Sequence, residues 1–122
     1  MKKTFCFYIV ILLIMTGCVS TTTPKPSVYM IIDSKIKDKE KYLQYIEQVS
    51  PIVTMYGGRY HVRGENIRAL GSWKPERIVV IEFPSMSHIQ DWLSSAKYKE
   101  IAPLREAGAD AQAIIVDGYI DN

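Results

Sequence analysis

Two arginines and a histidine occupy alternate positions of one short segment, Arg59, His61 and Arg63, and two carboxylates, Asp33 and Glu82, sit in other strand-like segments. Alternate residues of a strand point to the same side, so a sheet could gather these groups on one face. Arginine binds carboxylates through paired N–H donors, and a histidine can give or take a proton near neutral pH. Two neighbouring carboxylates cannot both ionise cheaply, so one of Asp33 and Glu82 would titrate high unless Arg59 offsets the repulsion. Asp33, Arg59, His61 and Glu82 are therefore the candidate polar end of a ligand pocket, with His61 and Glu82 as candidate proton acceptors. The competing expectation is that the four only neutralise one another.

Other chemistry finds little support. His61 and His88 are the only histidines and lack metal-ligand spacing. Haem ligation by His61 has chemical precedent, but a lone histidine is more often structural, so neither a metal nor a cofactor is expected. Gly57-Gly58 reads as a helix stop and not a phosphate loop, and Gly71-Ser72-Trp73 is not a nucleophile elbow. Trp73 and Trp92 read as packing residues. Tyr98 and Arg105, seven positions apart, would share a helix face. The chain has 122 residues, enough for one domain, with 15 Lys and Arg against 13 Asp and Glu. Without Lys2 and Lys3 the charges balance at 13 each, which removes any bulk electrostatic case for nucleic acid.

The first residues read as an address. Lys2 and Lys3 precede an apolar run over 5–15, which is shorter than the about 20 residues a spanning helix needs and fits a secretory signal. The run ends in Thr16-Gly17-Cys18, which resembles the bacterial lipoprotein box, with Met15 where Leu is usual. Residues 1–17 are thus expected to be a lipoprotein signal peptide, with Cys18 the lipidated mature N-terminus. Several acyl chains on one residue give stable anchoring where a single chain would not. Val19 after the cysteine resembles the pattern sorted to the outer membrane in Gram-negative cells. The expected location is the bacterial cell envelope, on the periplasmic face of that membrane where one exists. Residues 18–27 are small, polar and proline-containing, a tether to a domain over 28–120. Cys6 and Cys18 are the only cysteines, so that domain has neither thiol nor disulfide.

Hydrophobic periodicity lays out the domain. Residues 28–33 are β-rich. Asp38 caps a helix whose apolar positions run from Tyr42 to Tyr56, kinked at Pro51 and stopped at Gly57. A second strand covers 59–63, with a bulge invited at Gly64 and a continuation over 66–70, and a third covers 78–83. Ser85 or Ser87 caps a further helix, Ser87 with Gln90 matching a capping box; 97–107 is another helix or its continuation, and 113–116 is the last strand. This β-α-β-β-α-β order is the α+β, ferredoxin-like arrangement. The expected neighbours are β1 and β3 running parallel, which places Asp33 and Glu82 at one end. Period-two reading puts Val28, Met30, Ile81, Ile114 and Val116 under the helices, and Ile31, Ile78, Val80 and Ile115 with the charges on the other face. A small domain has no second layer for that face. A second copy would cover it, so a homodimer is expected.

Several segments then carry a family resemblance: Tyr56-Gly-Gly-Arg-Tyr-His-Val-Arg-Gly64, Trp73-Lys-Pro-Glu-Arg77, Glu82-Phe-Pro-Ser85, Ser95-Ala-Lys-Tyr98, and Arg105. In order and spacing the chain from about 28 to 118 resembles the family called domain of unknown function 1330. The resemblance implies the dimeric α+β barrel fold, in which two ferredoxin-like sheets face each other. Proteins sharing that barrel include small monooxygenases, muconolactone isomerases and haem-binding chlorite dismutases, so the scaffold hosts chemistry without fixing it. The leading expectation is a lipid-anchored dimeric domain that binds a small ligand. The alternatives are a cofactor-independent oxygenase or isomerase acting on a small, partly apolar acid, and a purely structural envelope component.

Overall fold

The computed structural model describes residues 17–18 and 23–121. The expected signal peptide over 1–17, except Gly17, and tether positions 19–22 lie outside the described residues. Among the described residues, no helix is long and apolar enough to cross a membrane.

The chain runs β1 (Val28–Ile36), α1 (Lys39–Met55), β2 (Arg59–Gly64), β3 (Arg77–Phe83), α2 (Met86–Ser94), α3 (Ala96–Gly108) and β4 (Ala109–Asp117). Local chemistry sets the boundaries. The Asp38 carboxylate accepts from Lys41 N at 3.2 Å and caps α1. Helix α1 continues past Pro51; its buried Val49, Ile52 and Val53 hold the flanking turns against the core. It ends at Gly57, whose φ of +81° is open to glycine and strained for other residues. Ser85, not Ser87, is the N-cap of α2, so the expected capping box does not form. A separate cap, Ser95, accepts from Tyr98 N at 3.1 Å and starts α3 as its own helix. Residues 65–76 contain no strand, so the expected continuation over 66–70 is corrected. β4 is longer than the expected 113–116 and follows α3 with no intervening loop.

One four-stranded antiparallel sheet results, in the order β2-β3-β1-β4. The parallel pairing expected for β1 and β3 is corrected. The α1 crossover returns the chain in the direction of β1, and the β2–β3 connection then reverses it, so β3 opposes both neighbours. Tyr29 faces Glu82, and Asp33 faces Ile78.

The core lies between one sheet face and the helices. Phe83, Ile89, Trp92 and Val53 are almost fully enclosed, with Phe83 stacked on Trp92 at 5.5 Å. β4 enters this face in the opposite phase to the expected one. Met30 pairs with Ile115 and Ile32 with Ala113, so Ala111, Ala113 and Ile115 share the helix side, and Ile114 and Val116 join Ile31 and Tyr29 on the open side. The small Ala109, Ala111 and Ala113 leave room there that larger residues would fill. At the far end of β1 and β4, Gly118 N donates to Ser27 O at 2.6 Å, fastening the end of the last strand to the residue before the first.

Candidate functional site

The sequence-derived cluster is brought together in part. On the open face, Arg59 lies opposite Glu82. Its Nη2 donates to Glu82 Oε2 at 2.7 Å, and His61 Nε2 meets the same oxygen at 2.6 Å. Tyr29 closes the group, its ring centroid 5.8 Å from that of His61. Hydrogen bonds from Ser27, His61 and Arg59 hold the Glu82 carboxyl down to about 2. Glu82 is thus an ionised counter-charge whose outer oxygen is already occupied. Asp33 is not part of this group. The antiparallel register carries it to the other end of β1, where Trp73 Nε1 donates to Asp33 Oδ2 at 3.1 Å. The expected contest between two carboxylates therefore does not arise, and Glu82 titrates low, with Arg59 among the groups that hold it there. Among the described residues no group of three or more His, Cys, Asp or Glu could hold a metal ion.

Arg63 also departs from the expected face. The bulge falls between Tyr60 and Val62, not at Gly64. The extra residue leaves His61 and Val62 on the open side and turns Arg63 to the helix side, opposite Val79. There its guanidinium stacks 3.7 Å above the Tyr60 ring and donates to Ser50 Oγ on α1.

Beneath the helices this turn completes a second site. A cavity of about 100 Å³ lies between sheet and helices. Its walls are apolar, from Met30, Ile32, Val79, Ile81, Ala111 and Ala113. Its polar groups are Arg63, Arg77, Arg105 and Ser34, with Tyr42, Tyr45, Tyr60 and Tyr98. Each arginine is partly held from outside. Arg77 Nη1 pairs with Glu65 at 2.6 Å, and Arg105 with its chain neighbour Glu106 at 3.6 Å. Burial, and next the Tyr98 hydroxyl beside it, push the Tyr45 phenol above the usual tyrosine range, so it stays a proton donor. Sequence reasoning noted that Tyr98 and Arg105 share a helix face but missed Arg77, Tyr42 and Tyr45 as lining groups. The available signal was the polar-tipped residues set into the apolar stripes of α1 and α3.

The fold and its two faces define the class: an α+β, ferredoxin-like domain of the dimeric α+β barrel type. The chain belongs to the family described as Domain of unknown function (DUF1330), which matches residues 27–119. Among solved structures it is similar to RPA0582, a protein of unknown function from Rhodopseudomonas palustris, with a TM-score of 0.69 and 16% identity over 80% of this chain and 85% of that one. SnoaB, a cofactor-independent oxygenase from Streptomyces nogalater, superposes with a TM-score of 0.59 at 5% identity, over 79% of this chain and 96% of its own. A Bacteroides thetaiotaomicron protein of unknown function, described as a possible oxidoreductase, gives a TM-score of 0.53 at 8% identity, over 76% of this chain and 98% of its own. At these identities the likeness is one of fold. No curated protein matches the sequence.

Proposed function

We propose that this protein is a lipid-anchored, homodimeric domain of the bacterial cell envelope that holds a small ligand between its sheet and its helices. The observation that carries the ligand reading is the cavity, because it combines apolar walls with convergent arginine and tyrosine groups. The cluster of Arg59, His61 and Glu82 lies outside this cavity. Its charges already satisfy one another on the opposite face.

Anchoring is supported by the basic and apolar leader ending at Cys18, whose thiol is exposed. Dimerisation is supported by the open face, where Val62, Ile114 and Val116 are 42%, 59% and 41% exposed beside half-buried Ile31, Ile78 and Val80. A second copy laid face to face covers the same patch on both chains.

A second reading keeps the cavity and adds chemistry: a cofactor-independent oxygenase or isomerase acting on a small, partly apolar acid. The arginine and tyrosine groups that line the cavity favour it, and His61 and Glu82 do not, since they face away from the cavity. The test is native mass spectrometry of the full chain extracted from bacterial membranes. The expected result is a dimer carrying lipid on Cys18 and releasing a small molecule on denaturation. Cys18→Ser should accumulate as unprocessed precursor or leave the membrane; a variant processed and retained like the parent refutes the anchor. A chain free of any small molecule and accepting none supports the purely structural role, and conversion of a bound acid in air without added cofactor supports the enzyme.

A further inference from the structure

We infer that the ligand of this cavity is a short-chain carboxylic acid, bound as its carboxylate by Arg77 and Arg105 with its hydrocarbon tail against the sheet. The inference rests on the ligand-binding reading and names the chemistry of the ligand. Its first support is charge. Arg63, Arg77 and Arg105 line the cavity, and among the described residues no Asp or Glu does. From beyond the lining, Glu65 engages Nη1 of Arg77 and not its Nε–Nη2 edge, and Glu106 lies 3.6 Å from Nη2 of Arg105.

The second support is independent of net charge. Arg77 Nε, Arg105 Nε and Trp92 Nε1 are buried N–H groups with no acceptor among the described residues, and all three residues line the cavity. Buried donors are normally paired, and each exception calls for an explanation. An arginine Nε–H and its adjacent Nη–H form the edge that meets a carboxylate in two parallel hydrogen bonds. Ser34, only 2% exposed, adds a buried hydroxyl to the same lining. The set is rich in donors, so the complement is a group that only accepts.

The rest of the wall sets the remainder of the molecule. Met30, Ile32, Val79 and Ile81 give nothing to a second polar group. On that side a hydrocarbon tail fits and a further phosphate oxygen would go unpartnered. A cavity of about 150 Å³ accepts benzene. The about 100 Å³ present here suits a carboxylate with a tail of roughly two to four carbons.

The experiment uses the full chain in detergent, titrated calorimetrically at constant ionic strength with sodium butyrate, neutral butyramide and inorganic phosphate. Butyrate should bind, with butyramide and phosphate at least about tenfold weaker, the scale of a lost charge-assisted pair. Arg105→Met should cost a similar factor for butyrate and a smaller one for butyramide, which loses a hydrogen bond but no charge pair. Equal affinity for butyrate and butyramide overturns the carboxylate while leaving the ligand reading in place. Phosphate binding as well as butyrate overturns the tail. Binding of none of the three overturns the inference; the ligand reading falls with it only if the membrane-extracted chain also releases no small molecule on denaturation. The comparison of the three probes is made on the unaltered protein, so it stands even where a variant fails to fold.

Discussion

Gly108→Ala should destabilise the domain although alanine is the better helix former. Gly108 is the last residue of α3, and its carbonyl accepts from Lys37 N at 2.8 Å and Asp38 N at 3.1 Å. The start of α1 thus crosses directly over it. A methyl group at 108 would lie 2.7 Å from Tyr42 N, 2.9 Å from Tyr42 Cα and 3.0 Å from Tyr42 Cβ. Ordinary contact begins near 3.4 Å, so backbone must move by about 0.7 Å. Tyr42 is 4% exposed and packed in the core, which leaves that movement no free direction. In an unconstrained place the substitution would stabilise by about 0.4–1 kcal/mol through the unfolded chain. Forcing extra volume into a packed site costs about 1–3 kcal/mol, so the net expectation is a loss of up to about 2.5 kcal/mol. Each kcal/mol corresponds to about 4–8 °C in a domain of this size. Thermal unfolding followed by circular dichroism measures it, with Gly64→Ala as control, since a methyl there meets only Val62 at 3.5 Å and Ile78 O at 4.0 Å. A Gly108→Ala protein melting at or above the parent temperature refutes the close-approach argument.

Three further outcomes are expected. The Glu82 carboxyl titrates at about 2 when folded against an ordinary 4.5, so in that window the unfolded chain binds more protons, and the stability Glu82 supplies is present above 4.5 and lost as pH falls toward 2. Urea unfolding should show Glu82→Gln weaker than the parent at neutral pH and no weaker at the acid end; an equal deficit at both ends refutes the assignment. Tyr45 titrates above its ordinary 10.0, so its contribution is complete below that pH and is lost as pH rises beyond it. Alkaline absorbance titration should find one phenol that ionises only with unfolding, absent in Tyr45→Phe. Val80→Lys, in the middle of the open face, should give a monomer by sedimentation, because it puts a charge where an apolar side chain worth about 1.5–3 kcal/mol on burial would meet a partner; an unchanged dimer refutes that face as the interface.

The elements were largely legible because their signals are local. Asp38 and Gly57 act at the positions they occupy, and the alternation of 78–83 gives both faces of β3 correctly. What failed depended on parity or direction over a distance. One extra residue at the Tyr60–Val62 bulge sends Arg63 to the other face, and no residue type marks it. A strand starting at 113 leaves out the alternation of Ala109, Ala111 and Ala113 that sets the phase of β4. The direction of β3 follows from counting reversals, and the antiparallel direction sets Asp33 four residues along β1 from Tyr29, which faces Glu82. The cluster of Arg59, His61 and Glu82 survived because it lies within one neighbouring strand pair. The cavity did not emerge, because its groups come from both sheet and helices and meet only once these are packed.

The hydrogen bond from Gly118 N to Ser27 O has a consequence for the order of the chain itself. The domain begins and ends at one point, so a short linker from 118 to 27 would close it into a ring without bending any strand. The natural place to reopen that ring is the stretch 65–76, which has no regular structure and exposes Leu70 almost completely. The rearranged protein would start at β3, pass through β4 to β1 and finish with β2, with every strand pairing of the sheet preserved. Sheet order here is a property of which surfaces meet, and the order of writing is interchangeable with it.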